Sequence, residues 1–195
     1  MPTITRREEQ AIATQQSILR AASKLFSRNG FAKTSLDSIA LEARMTKGAL
    51  YHHFADKTDL YAACYGEQAG RVAEVIRDVP MTDDPWRDIL AQCRAFLGCA
   101  TMKSLRTVPI QEAITVLGWK RWRELDESRT MGLLVDSLER LRAEGMFRDH
   151  DPRLLLDAVY GMLVNAMVTL SMSKSKKKSP DELMTLIESF LRGAA

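Results

Sequence analysis

Apolar residues return at three- and four-residue intervals along almost the whole of this 195-residue chain, and alternating β-branched runs are missing. That period lines up one face of a helix and no face of a strand, so the expected fold class is all-α. The two segments nearest the C-terminal end tighten the constraint. Leu154, Leu155, Ala158, Val159, Met162, Leu163, Ala166, Met167 and Leu170 crowd a helix expected at about 152 to 172. Leu183, Met184, Leu186, Ile187, Phe190 and Leu191 crowd another at about 180 to 192. Apolar faces this broad need cover on two sides, and a second copy of the chain is the simple source of it. A homodimer through these last two large helices is therefore expected.

Punctuation divides the rest. A first helix at roughly 8 to 28 puts Ile12, Ile18, Leu19, Ala22, Leu25 and Phe26 on one stripe and stops at Asn29-Gly30. "TSLDSIALEA" then opens with Thr34 as N-cap and Asp37 three residues on, with Leu36, Ile39 and Ala40 turned inward. After a break at "RM", Thr46 can cap "KGALYHHF", whose Leu50 and Phe54 stand at i and i+4. Asp56 caps a further start, and that helix runs to about Asp78, before Pro80. Helices are also expected at about 85 to 102, 109 to 117 and 119 to 144, the last two separated by Gly118. "SKSKKKS", residues 173 to 179, reads as a solvated connecting loop.

With 46% hydrophobic and 27% charged residues, the chain can bury a core, which excludes disorder as its main state. The net charge of +3 has a location. Residues 1 to 60 hold nine Lys/Arg against six Asp/Glu, and the remainder balances. A basic front on a neutral body points to a polyanion. The N-terminal residues lack the apolar core of a signal peptide, and no run reaches ~18 uninterrupted apolar residues, so a cytoplasmic chain with no membrane partner is expected. Cys64, Cys93 and Cys99 lack CxxC spacing and read as buried small hydrophobes, with a thiol sensor at Cys93 and Cys99 as the alternative.

Two helices of eight to ten residues are too short to stand alone, since isolated helices under ~12 residues are marginal in water. Packed as a helix-turn-helix, the first braces against a DNA backbone and the second enters the major groove. The second helix suits that task. Its first turn exposes Thr46, Lys47, Gly48 and Ala49, small or cationic residues that let the backbone approach base edges. Tyr51 and His52 follow one turn later and Lys57 opens the next helix, all donors of suitable length for phosphate oxygens.

Residues 30 to 60, "GFAKTSLDSIALEARMTKGALYHHFADKTDL", resemble the AcrR-like DNA-binding domain of the TetR family of transcriptional regulators. The shared pattern is Gly-Phe, Thr-Ser, Ile-Ala, Lys-Gly, Leu-Tyr-aromatic-His-Phe and Lys. The stretch "AITVLGWKRWRELDESRTMGLLVDSLERL" also resembles a segment of one branch of the family's ligand-sensing domains. The resemblance implies a three-helix helix-turn-helix domain at 1–53 and a helical effector-binding and dimerisation domain at 54–195. It places Thr46, Lys47, Gly48 and Ala49 at the bases, and Thr34, Ser35, Tyr51, His52, His53 and Lys57 at phosphates. One departure stands out. Arg44 occupies the turn position where the family usually has glycine, so either the turn differs or an Arg44 contact to DNA offsets the left-handed conformation.

Other chemistry finds little footing. Adjacent His52 and His53 diverge by about 100° on a helix, whereas metal pairs use i, i+4, so no metal is expected. GxSxG, Cys-His and glycine-rich phosphate motifs are absent from the sequence, and neither catalysis nor a cofactor is expected. The tryptophans and methionines read first as core. The resemblance also implies an apolar effector pocket, for which Phe96, Cys99, Trp119, Trp122, Met131, Met162 and Asn165 are the lining candidates. Arg121, Arg123, Glu124 and Asp126 read as a solvated face. The expectation is a dimeric repressor on a near-palindromic double-stranded DNA operator, released by a small apolar effector. An activator of the same fold and a small-molecule-binding or catalytic helical protein are the alternatives.

Overall fold

Helices and turns are the only regular structure among the described residues, as the apolar period requires. The structure is a computed structural model that describes residues 5–105, 107–172 and 180–195; the lysine-rich stretch at 173–179 lies outside the described residues. In chain order the helices are α1 (Arg6–Asn29), α2 (Leu36–Glu42), α3 (Lys47–His53), α4 (Lys57–Arg77), α5 (Pro85–Cys99), α6 (Ile110–Glu127), α7 (Val135–Ala143), α8 (Pro152–Met172) and α9 (Pro180–Ala194). They group into two compact units. One takes Met1–Glu67 with Thr107–Trp122, the other Gln68–Arg106 with Arg123–Ala195.

In the first unit, α1 begins earlier than its apolar stripe, because Thr5 and Glu8 form a reciprocal capping box. Its first turns are exposed, and Ile12, placed on the inner stripe, is 46% exposed. Burial starts at Ile18 and continues through Leu19, Ala22 and Phe26. Gly30 ends the helix at φ 76°, donating its N–H to the Phe26 carbonyl. A Cβ there would also meet Glu112 Oε1 at 3.1 Å, so the backbone angle and the close approach both call for glycine.

The cap of α2 is Ser35 and not Thr34. Ser35 and Ser38 exchange hydroxyl and backbone bonds, which leaves Asp37 outside the capping box. Thr34 is pulled inward because its hydroxyl finds the exposed carbonyls at the end of α1, donating to Gly30 O at 2.8 Å. The α2 to α3 turn keeps the glycine-type geometry. Met45 N–H bonds back to the Ala40 carbonyl, and Arg44 adopts φ 56°. That conformation costs a non-glycine residue about 1 to 2 kcal/mol, so of the two options left open by the sequence, a relaxed turn is not the one taken.

α3 and α4 start as expected. Thr46 Oγ1 accepts from Ala49 N–H at 3.2 Å, and Asp56 accepts from Asp59 N–H at 2.7 Å. Leu50, Leu60, Tyr61 and Cys64 are wholly buried. Replacing a core leucine such as Leu50 by alanine costs roughly 2 to 5 kcal/mol.

In the second unit, α5 is capped by Asp84 with Pro85 in its first turn and packs with α7, α8 and α9. The single helix expected at 119 to 144 does not form. Gly118 has φ 75° and ψ 156°, which breaks α6 at the expected point. α6 then ends at Glu127, and a 3₁₀ turn, Met131–Leu134, precedes α7. The break has two local causes. The buried Thr130 hydroxyl bonds both the Asp126 carbonyl and the Tyr160 hydroxyl, and a Cβ at Gly132 would press on Glu127 O at 3.3 Å.

Phe147, at φ 57°, holds a left-handed conformation in the turn before α8 while its ring stays buried. Arg142 Nη1 braces that turn by donating to the carbonyls of Phe147 and His150. By length and composition α8 could cross a membrane, with a mean hydropathy of 1.6 over its most apolar window. It nevertheless carries Arg153 and Asp157, which pair with Glu127 and Arg123 respectively. Its neighbours α5, α7 and α9 cover part of its apolar surface.

Candidate nucleic-acid interface

The first turn of α3 stands clear of the protein's own packing. Thr46, Lys47 and Gly48 are exposed and Ala49 is half-buried, while Leu50 alone of this short helix is fully buried. Beyond its own helix backbone and chain neighbours, nothing lies within 4 Å of where a Gly48 Cβ would sit, so the fold itself makes no demand for glycine there. In a helix interior glycine costs roughly 0.5 to 1 kcal/mol against alanine. Gly48 stands in the first turn of this seven-residue helix, and its backbone is exposed there.

Around this turn the donors fall into two groups. Ser35, Arg44, Tyr51 and His52 are exposed, with His53 half-buried beside His52, the two rings edge to face at 5.7 Å. These side chains are available to an anion. Thr34 and Lys57 are committed inward. Thr34 is 2% exposed with its hydroxyl donated to backbone. The Lys57 ammonium donates to the carbonyls of Phe31 and Thr34, both at 3.0 Å, and lies 4.1 Å from the centre of the Phe31 ring. Lys57 thus ties the α1 to α2 turn to the start of α4.

Glu112, which sequence reasoning passed over, completes that brace. Its carboxylate accepts from the Phe31 N–H at 3.0 Å and from the Tyr61 hydroxyl at 2.9 Å. Burial, then the Glu112 carboxylate, push the Tyr61 phenol well above its ordinary range, so it stays a donor. Phe26, Phe31 and Tyr61 pack edge to face and stacked around the same point. A partner 81 residues away carries no local sequence signal. Asp37 was likewise read as part of a cap, and instead its carboxylate meets Lys47 Nζ at 2.8 Å.

The pocket candidates are divided between the two units. Trp119 and Trp122 belong to the first unit, their rings 5.1 Å apart; Trp119 is exposed, whereas Trp122 is buried with its indole N–H donated to Tyr65 Oη at 2.8 Å. Phe96, Cys99 and Met131 are buried in the second unit, and Phe96 meets the Tyr160 ring at 5.8 Å. Met162 and Asn165 stand elsewhere, on an open groove of about 280 Å³ whose other wall is Leu183, Leu186, Ile187 and Phe190 of α9. Asp126 is no part of a solvated face. It is 3% exposed and accepts from the Tyr160 hydroxyl, beside Thr130. The thiols of Cys93 and Cys99 are buried, and burial pushes them up to about 12 and about 11.

Comparison with known proteins agrees with this architecture. Residues 18–64 match the family model described as bacterial regulatory proteins, tetR family, and residues 86–194 match the tetracyclin repressor-like C-terminal domain. The Transposon Tn10 TetC protein of Escherichia coli is 24% identical over 184 residues, covering 94% of this chain and 93% of that one. The HTH-type transcriptional repressor AcnR of Corynebacterium diphtheriae is 26% identical over 188 residues, covering 92% of each. A TetR-family transcriptional regulator from Pectobacterium atrosepticum superposes with a TM-score of 0.72 at 27% identity, covering 97% of each chain. The chain belongs to the TetR family of transcriptional regulators, which bind DNA through a helix-turn-helix and are not enzymes.

Proposed function

We propose that the protein is a homodimeric repressor that binds a near-palindromic operator through α3 and is released by a small apolar effector. The observation that carries the DNA reading is the uncovered first turn of α3, with Gly48 where the fold asks for no glycine. Thr46, Lys47, Gly48 and Ala49 face base edges, and Ser35, Arg44, Tyr51, His52 and His53 face phosphates. Thr34 and Lys57 act from behind, fixing the turn. The relatives named as repressors support the direction of control.

Pairing of α8 and α9 with their twofold mates follows from what those helices leave uncovered. Leu154, Met172, Leu186 and Phe190 are all more than half exposed, and the groove holding Met162 and Asn165 lies on the same helix pair. For the effector we place recognition in the second unit around Phe96, Cys99 and Met131, with the Tyr160 and Thr130 hydroxyls as polar handles. A coupling of ~1 to 3 kcal/mol between the two sites weakens operator binding ~5- to 150-fold.

A mobility shift with duplex DNA from upstream of the coding region tests the DNA reading. His52→Ala weakens binding to all sequences alike, whereas Lys47→Ala also changes which sequence is preferred. Binding with no sequence preference would count against repression at an operator, and activation of a promoter-linked reporter would reverse the direction.

A further inference from the structure

We propose that Asp37 is a specificity-determining residue of the DNA face: its carboxylate and the Lys47 ammonium, 2.8 Å apart, form one acceptor-and-donor unit that reads a G·C pair. This deepens the reading of α3 as the recognition helix and rests on it.

The other acids of the segment from Lys33 to Lys57 have structural tasks. Glu42 pairs with Lys24 of α1 at 2.6 Å, and Asp56 caps α4 through Asp59 N–H. Asp37 has no share in the α2 capping box, which Ser35 and Ser38 complete between them. It reaches instead from the first turn of α2 to the first residue of α3, and both partners remain more than half exposed. An exposed ion pair contributes little to stability. A lone carboxylate on this face repels phosphates, and the adjacent Lys47 cancels that repulsion while losing its own freedom to roam.

The consequence lies in what the tethered pair can recognise. A free lysine on a flexible stem satisfies itself with any nearby phosphate, which carries no sequence information. Beside Asp37, the ammonium retains two N–H donors in the first turn, and the carboxylate presents lone pairs next to them. In the major groove guanine offers the acceptors O6 and N7 to lysine, and cytosine offers its N4 amino group to a carboxylate. The Asp37 hydrogen bond and charge also raise the Lys47 ammonium above its ordinary value, so it keeps its charge.

The experiment is selection from a duplex library with a randomised centre, using the full chain as wild type, Asp37→Ala, Asp37→Asn and Lys47→Ala, followed by salt titration against bulk duplex DNA. The wild type should demand a G·C pair at symmetric positions. Asp37→Ala should lose that demand by about 5-fold or more. It should also bind bulk DNA several-fold tighter, its logarithmic salt slope steeper by about one for each recognition helix. Asp37→Asn keeps the side-chain size and, with an amide that both donates and accepts, should shift the preference toward adenine. An unchanged preference in Asp37→Ala, with the wild type selecting a motif, overturns this inference alone. A wild type that selects nothing overturns the recognition-helix reading with it.

Discussion

Replacing Glu112 by alanine removes the acceptor shared by Phe31 N–H and Tyr61 Oη and should loosen the first unit at the α1 to α2 turn. The two donors do not suffer equally. Tyr61 is wholly buried, so leaving its hydroxyl without that acceptor costs about 1 to 3 kcal/mol. Phe31 is half-buried and its amide recovers part of the loss from solvent, leaving about 0.5 to 1.5 kcal/mol. Glu112→Ala should therefore lower stability by about 1.5 to 4.5 kcal/mol, a large share of the 5 to 15 kcal/mol typical of a domain. Glu112→Gln keeps an oxygen for one of the two donors and turns an amide N–H toward the other, so it should cost less than alanine does. Urea unfolding followed by circular dichroism gives both numbers. Equal losses for the two variants, or a loss below about 0.5 kcal/mol for alanine, would refute the account of Glu112 as a two-donor clamp.

Arg140→Met tests a buried carboxylate, Asp88. Burial alone would raise Asp88, but hydrogen bonds from Thr82 and Arg140 outweigh it and hold the carboxyl below its ordinary value. A depressed folded pKa means that its stabilisation is present at neutral pH and lost as pH falls through that pKa. The variant should thus lose about 1.5 to 3 kcal/mol near pH 7, with a gap to wild type that narrows below about pH 4; a pH-independent gap would sink the argument. The Cys93 and Cys99 thiols, pushed up to about 12 and about 11, should resist a thiol reagent in native protein near pH 8 and react on unfolding. Fast native labelling, or peroxide-sensitive DNA binding, would restore the redox switch. Leu186→Asp with Phe190→Asp should yield a folded monomer that loses the palindromic site; an unchanged dimer by light scattering would move the interface off α8 and α9.

Fold class was legible because the apolar period is a local property, and so were the caps at Thr46 and Asp56 and the breaks at Gly30 and Gly118. The misreadings turn on contacts that the helical period does not encode, some of them close in sequence and some distant. Thr34 looked like a cap until the carbonyls ending α1 claimed its hydroxyl. Asp126 looked solvated until Tyr160 and Thr130 closed over it. Ile12 fits the α1 stripe by spacing, yet the helix extends beyond what it packs on. For the candidate interface, the residue types in the first turn of α3 were readable, whereas the pairing of Lys47 with Asp37 was not, since nothing in a linear spacing of ten shows two helix starts meeting.

The Lys57 and Glu112 contacts bear on how this regulator can be cut and recombined. The turn between α1 and α2 is held by side chains that follow α3 in sequence, one on α4 and one on α6. A fragment ending at residue 53 strips that turn of both its cation and its anion. Chimaeras that borrow this DNA-binding specificity should therefore carry the start of α4 and a compatible carboxylate from the segment Thr107–Trp122. The reading head of this protein is not a detachable cassette.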